Sequence, residues 1–164
     1  MSAQVLLGQL REENGLGVVR VEDVYATGID DLWDAITDPE RLAHWIAEVD
    51  GDLRVGGEFR ATFTSGWTGT GVVEVCAAPR LLRVRTQRPG EPATVMEAQL
   101  SPDGAGTRLI IEERGLPLAE YADHGAGWQA HAEDLHAHVN GTEPTDWVQR
   151  WRELSSAYFA LAGR

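Results

Sequence analysis

The stretch that decides the fold runs from Val24 to Gly57 and reads VYATGIDDLWDAITDPERLAHWIAEVDGDLRVGG. A strand ends near Ala26. Thr27 then offers a helix cap, with Asp30 three residues on completing a capping box. Ile29, Leu32, Trp33 and Ile36 follow at i, i+3, i+4 and i+7, so one face of that helix is apolar. Asp38 and Pro39 stop it and start another. An Asp cap accepts orphan backbone N–H bonds, and Pro at the first helical position loses none. Leu42, Trp45 and Ile46 give the second helix a short apolar face. Asp50-Gly51 reads as a turn and Gly56-Gly57 as a bulge or tight corner. Two short helices therefore interrupt a chain that is otherwise rich in strands.

Upstream, residues 4–12 and 16–26 read as a hairpin around Asn14-Gly15, the strongest short turn signal. In its second strand Val19, Val21 and Tyr25 share one face. Downstream, residues 57–65 alternate, with Phe59, Ala61 and Phe63 on one side. Ser65 to Gly69 is a turn, and strands follow over 70–77, 81–87, 93–100 and 107–114. Met96, Ala98 and Leu100 share a face, as do Leu109, Ile111 and Glu113. Five such segments joined by short turns imply an antiparallel meander.

The remainder is helical. From about Leu118 to Asn140, residues His124, Trp128, His131, Leu135 and His138 fall within one arc of ~80° at 100° per residue. Gly125 and Gly127 inside this helix each cost roughly 1 kcal/mol relative to Ala, a sign of close packing or of space left beside Trp128. Asp146 caps a last helix whose Trp147, Trp151, Leu154, Tyr158 and Leu161 form an apolar stripe.

The order of a strand, LWDAITDPERLAHW and DLRVGG resembles the START-like (SRPBCC) superfamily. It looks most like bacterial relatives of the C-terminal domain of the heat-shock-protein-90 ATPase activator. Gly71 to Val75, Pro79 to Leu82, Gly106 to Leu109 and Gly127-Trp128 carry the same likeness across nearly the whole chain. The resemblance implies an α+β helix-grip fold, a curved antiparallel sheet wrapped around a long C-terminal helix. It also implies an apolar cavity between the two. Residues 1–164 are then one START-like domain, with residues 142–164 a helical extension packed on it. Fold alone does not fix function, because this superfamily hosts binding proteins, cyclases and co-chaperones on one scaffold.

Composition narrows the partners. The 164 residues carry a net charge of −12, and all 14 basic residues are Arg. Such a surface repels nucleic acid and anionic membranes. The apolar run Val5-Leu6-Leu7 is too short for a signal peptide or a membrane span, so cytosol is the expected compartment. The single cysteine, Cys76, makes no internal disulfide and is expected to be a buried, inert thiol.

Several constellations bear on chemistry. His131, Glu133, Asp134, His136 and His138 do not have the HExxH spacing of a metal site, so neither metal nor another cofactor is expected. No G-x-S-x-G accompanies the serines, and the glycine-rich run from Gly66 to Gly71 lacks the Lys of a phosphate loop. Glu113 is the most informative charge. If buried, its carboxyl is a candidate acid–base group or ligand anchor. The favoured reading puts it at an open strand end, solvated or paired with an Arg. Relatives that the chain resembles carry His at the matching place.

The expected ligand cavity comprises Phe59, Phe63, Trp67, Met96, Ala98, Glu113, His124, Trp128, His131 and Leu135. Glu113 and His124 stand near its mouth. The leading functional reading is binding of a small hydrophobic or amphipathic molecule there. The alternatives are a polyketide-cyclase-like enzyme that moves protons through Glu113, His124 or His131, and a chaperone-activator-like module that docks a protein. A second copy of the chain or a chaperone-like protein is the macromolecular partner such a module takes.

Overall fold

The structure, a computed structural model, describes residues 5–164. Eight strands form one antiparallel sheet: β1 (Gly8–Glu13), β2 (Leu16–Tyr25), β3 (Ala47–Gly51), β4 (Glu58–Phe63), β5 (Thr68–Ala77), β6 (Leu81–Gln87), β7 (Thr94–Asp103) and β8 (Gly106–Leu116). Their spatial order is β1-β2-β8-β7-β6-β5-β4-β3. The helices are α1 (Ile29–Thr37), α2 (Pro39–Trp45), α3 (Tyr121–Val139) and α4 (Trp147–Leu161). This is the helix-grip arrangement, with α3 laid against the sheet.

The local rules explain most boundaries. Asn14 and Gly15 take φ of 54° and 79°, the left-handed pair that a two-residue hairpin turn requires. The first residue of the expected hairpin, Gln4, lies outside the described residues. Asp38 caps α2 by accepting from the Glu40 N–H at 3.1 Å. The expected box at Thr27 does not form. Gly28 is the N-cap of α1, and the Thr27 hydroxyl donates to the Asp31 side chain instead, at 2.7 Å. A strand that the turn signal at Asp50-Gly51 hides is β3. Its backbone pairs with β4 from Ala47↔Phe63 to Gly51↔Phe59, so pairing overrides the local signal.

The core lies between the sheet and the helices α1, α2 and α3. Val19, Val21, Tyr25, Leu109 and Ile111 come from adjacent strands, and Leu32, Trp33, Trp128 and Leu135 come from the helices. The outer face of the sheet is a ladder of charges. Its centre is Glu112, which accepts from Arg11, Arg20 and Arg114. Burial pushes that carboxyl up, but the three guanidinium groups hold it at about 2. Cys76 is exposed rather than buried, because it lies in the last two residues of β5, where the strand leaves the core.

On the other side of α3 lies α4. Ala122, Ala126 and Ala130 form a smooth strip that meets Leu154 and Tyr158. The Tyr158 hydroxyl donates to Gln129 at 2.6 Å and accepts from the Gly8 N–H at 3.0 Å, tying α4 to α3 and to β1. Gly125 and Gly127 belong to this contact. A Cβ on Gly125 would stand 2.6 Å from the Tyr158 ring, and one on Gly127 would stand 3.2 Å from Trp147. The glycines therefore admit α4, not a ligand beside Trp128. Of the expected stripe on α4, Leu161 points outward and is exposed.

Candidate functional site

The site is built where the first turns of α3 cross the end of β8. Alternation along β8 puts Leu109, Ile111 and Glu113 on the inward face, and all three are buried. Glu113 is therefore neither solvated nor paired with an Arg, because strand β8 continues to Leu116 and α3 covers it. Three donors converge on its carboxylate. Trp128 Nε1 and His124 Nδ1 both lie 2.9 Å from Oε1, and the Thr94 hydroxyl donates to Oε2 at 2.8 Å. His124 and Trp128 are four residues apart on α3, so the helix presents both on one face. Thr94 comes from the adjacent strand β7, one step beyond Met96, which pairs with Glu113. Its inward direction follows from the same alternation that places Met96.

Opposing forces set the charges. Burial by itself pushes the Glu113 carboxyl up. The His124 bond and charge, with the Trp128 and Thr94 donors, outweigh burial and hold the carboxyl below the usual carboxylate range. For His124 burial pushes the imidazole down, and the Glu113 bond and charge raise it above its ordinary value. Glu120 and Asp123 add to that rise. Both shifts favour the imidazolium–carboxylate form of the pair.

This pair opens onto a cleft of about 160 Å³. Trp67, Pro92, Leu116 and Pro117 supply its apolar wall. Thr86, Gln87, Arg88, Glu91 and Glu120 make the polar rim, and Thr94, Glu113 and His124 the floor. Drug-sized ligand sites run to roughly 300–1,000 Å³, so this one takes a small molecule or one end of a larger one. Thr86, Gln87, Arg88 and Glu91 were not visible as a site from sequence: the strand pattern of β6 does not show what lies beside its end, and the loop that carries Arg88 and Glu91 has no periodicity that fixes where it points.

Among the expected cavity residues, Trp67, Glu113 and His124 line the cleft, and Trp128 reaches it only through its bond to Glu113. Phe59, Ala98 and Leu135 are buried in the core, and Phe63 and Met96 pack against it. They fill the space between sheet and helix in which a larger cavity was expected. His131 is buried two turns beyond His124. It packs edge-on to Phe63 and Trp128, and its ring centroid lies 5.2 Å from that of Trp147. Burial pushes its imidazole down to about 3, against weak opposition from the Trp45 backbone and Glu113. Its Nδ1 and the Trp147 Nε1 are the two buried side-chain polar atoms without a hydrogen-bond partner among the described residues.

The other titratable residues of α3 diverge. Asp134 accepts from the Thr145 N–H and hydroxyl, each at 3.0 Å. His136 meets Asp23 at 2.8 Å and stacks on Tyr25. His138 accepts from Arg41 and stacks on His44. Each has its own partner on a different element.

Comparison with known proteins follows this geometry. The chain is similar to CalU16 from Micromonospora echinospora in its crystal structure, at 26% identity and a TM-score of 0.79, over 96% of both chains. It is similar to DynU16, from the dynemicin biosynthetic locus, at 25% identity and a TM-score of 0.72, over 79% of this chain and 50% of that one. A Bordetella parapertussis protein, BPP1335, shares the fold at 18% identity and a TM-score of 0.73, over 97% and 94%. No curated protein matches the chain. The family model for Activator of Hsp90 ATPase homolog 1-like protein matches residues 26–140, which run from the end of β2 to the end of α3 and include the whole Glu113 site. The chain belongs to that family of the START-like superfamily.

Proposed function

We propose that this protein binds a small amphipathic molecule in the cleft at the start of α3. One observation carries the reading. A buried carboxylate with three donors holds the His124 imidazole at the floor of a cleft whose wall is Trp67, Pro92, Leu116 and Pro117. Burying an ion pair has a desolvation cost of several kcal/mol per ion, and a hydrophobic replacement is often neutral or stabilising. A pair retained at an opening to solvent is therefore better explained by what it contacts than by stability. Apolar walls with a few convergent polar groups are the general form of a small-molecule site. Similarity to a protein from the dynemicin biosynthetic locus supports a small-molecule ligand over a protein partner.

This reading treats residues 1–164 as one unit, with α4 as its extension, working in the cytosol. Among the described residues no helix is long and apolar enough to cross a membrane. The test is native mass spectrometry of freshly purified protein, followed by titration with naphthalene while Trp fluorescence is recorded. Saturable binding that weakens several-fold in Trp67→Ala is expected. No retained molecule and no saturable response would overturn the reading.

A further inference from the structure

Helix α4 does more than cover the outer side of α3. We propose that its Trp151, and Arg164 just beyond its end, are positioning residues of the cleft: they hold residues 117–124 where that segment forms the α3 side of it. This rests on the cleft being a ligand site.

Pro117, Glu120 and His124 all line the cleft, and all come from the stretch that leads from the end of β8 into the first turn of α3. That stretch has few anchors of its own. Pro117 has no N–H to donate. Glu120, the N-cap of α3, makes no side-chain capping bond. The Glu120 N–H donates to the Pro117 carbonyl at 2.9 Å, and the His124 N–H to the Glu120 carbonyl at 3.1 Å. These bonds close the turn without fixing it to the rest of the molecule. On the sheet side the His124 ring is held by Glu113, and Tyr121 lies on the bare backbone of Gly17, where a Cβ would stand 2.6 Å from its own.

On the other side, two side chains donate to carbonyls of the stretch. Trp151 Nε1 donates to the Asp123 carbonyl at 3.0 Å, the peptide unit that leads into His124. Arg164 Nη2 donates to the Leu118 carbonyl at 2.9 Å, next to Pro117. Arg164 is itself held in place. Its backbone N–H donates to the Phe159 carbonyl at 2.9 Å, and its guanidinium carbon stands 6.0 Å from the centre of the Phe159 ring. Neither Trp151 nor Arg164 lines the cleft, so each reaches a ligand there only through the stretch it holds. The other bonds of α4 go elsewhere. Tyr158 meets Gln129 and Gly8, and Arg150 meets Glu133. Docking the helix and holding the cleft therefore fall to different side chains, which substitution can separate.

The test is NMR titration of the intact protein with naphthalene, followed on the Trp67 and His124 resonances. Trp151→Phe keeps an aromatic ring on α4 and removes the N–H. It should weaken binding about fivefold, the worth of one neutral hydrogen bond. Arg164→Met should weaken it in the same direction and by less, since its bond is exposed. Tyr158→Phe is the contrast. It removes the bonds to Gln129 and Gly8, and should lower the melting temperature while leaving naphthalene affinity within about twofold of wild type. Coupling between two sites is reciprocal, so naphthalene should in turn slow the exchange of the Trp151 indole N–H with solvent in the wild-type protein. Wild-type affinity in Trp151→Phe overturns the proposal, and so does an equal loss in Tyr158→Phe. Indole exchange that naphthalene leaves unchanged overturns it too, and that measurement decides even if Trp151→Phe does not fold. In each of those cases the ligand site stands. If the wild-type protein binds no naphthalene, the site itself falls and this role falls with it.

Discussion

Two histidines on one face of α3, two turns apart, have opposite fates. His124 meets a carboxylate that raises its imidazole above the ordinary value, whereas His131 meets only aromatic rings and the Trp45 backbone and is pushed down to about 3. Both are largely removed from water. The difference teaches that burial does not decide whether a group is charged; the partner supplied by another element does. For His124 that partner is Glu113 on β8. For His131 the neighbouring element is α4, which brings an indole and no charge.

The comparison can be broken most severely by removing α4. Deleting residues 142–164 uncovers His131 and strips Leu154 and Tyr158 from the Ala122–Ala130 strip. Each of those side chains contributes roughly 1.5–3 kcal/mol when fully buried. We expect aggregation, or a melting temperature lower by about 10 °C or more for several kcal/mol in a chain of this size. Any folded fraction should show His131 titrating closer to the ordinary imidazole range. A soluble truncation with unchanged melting would refute this.

Acid sharpens the contrast next. The folded pKa of His131, about 3, lies below the unfolded value near 6.5. Its contribution is fully present above 6.5 and is lost as pH falls toward 3, because the unfolded chain takes up a proton that the folded one refuses. The slope is about 1.4 kcal/mol per pH unit in that window. Urea unfolding at pH 7, 6 and 5 should show it, and His131→Leu should flatten it. An identical acid limb in that variant would count against the assignment.

For the other histidine the window is different. The Glu113 carboxyl is lowered, so its share is present above the unfolded carboxyl value and lost as pH falls through the folded one. His124 is raised, so its share is present below 6.5 and lost as pH rises through its folded value. The pair therefore stabilises most at about pH 5–6. Glu113→Gln should cost about 2 kcal/mol there, allowing for the partial exposure of His124, and less on either side. A cost that does not vary with pH would show that Glu113 acts only by packing.

The smallest effect concerns the glycines between the two histidines. Gly127→Ala brings a methyl 3.2 Å from the Trp147 ring, which must give by a few tenths of an ångström, while helix propensity gains roughly 1 kcal/mol. The two nearly cancel, and stability should change by less than about 1 kcal/mol. Gly125→Ala meets the Tyr158 ring at 2.6 Å and should cost clearly more. Equal effects of the two, in parallel melting curves, would place α4 elsewhere.

The sequence by itself determined the hairpin at Asn14-Gly15, the helix pair around Asp38-Pro39, the inward face of Glu113 and the shared face of His124, Trp128 and His131. Each follows from a period or a turn residue, which are properties of the local chain. It also placed Trp67 at the tip of the β4–β5 hairpin, where it now walls the cleft. Only the tertiary structure decided what covers each face. Strand β3 exists because β4 pairs with it, against its own turn signal. Gly125 and Gly127 announced missing volume, but volume has no direction in a sequence, and α4 fills it. Glu113 was legible as inward but not as buried and charged. Its charge depends on His124, Trp128 and Thr94 arriving from two other elements, and no local pattern encodes a meeting between residues that are distant along the chain.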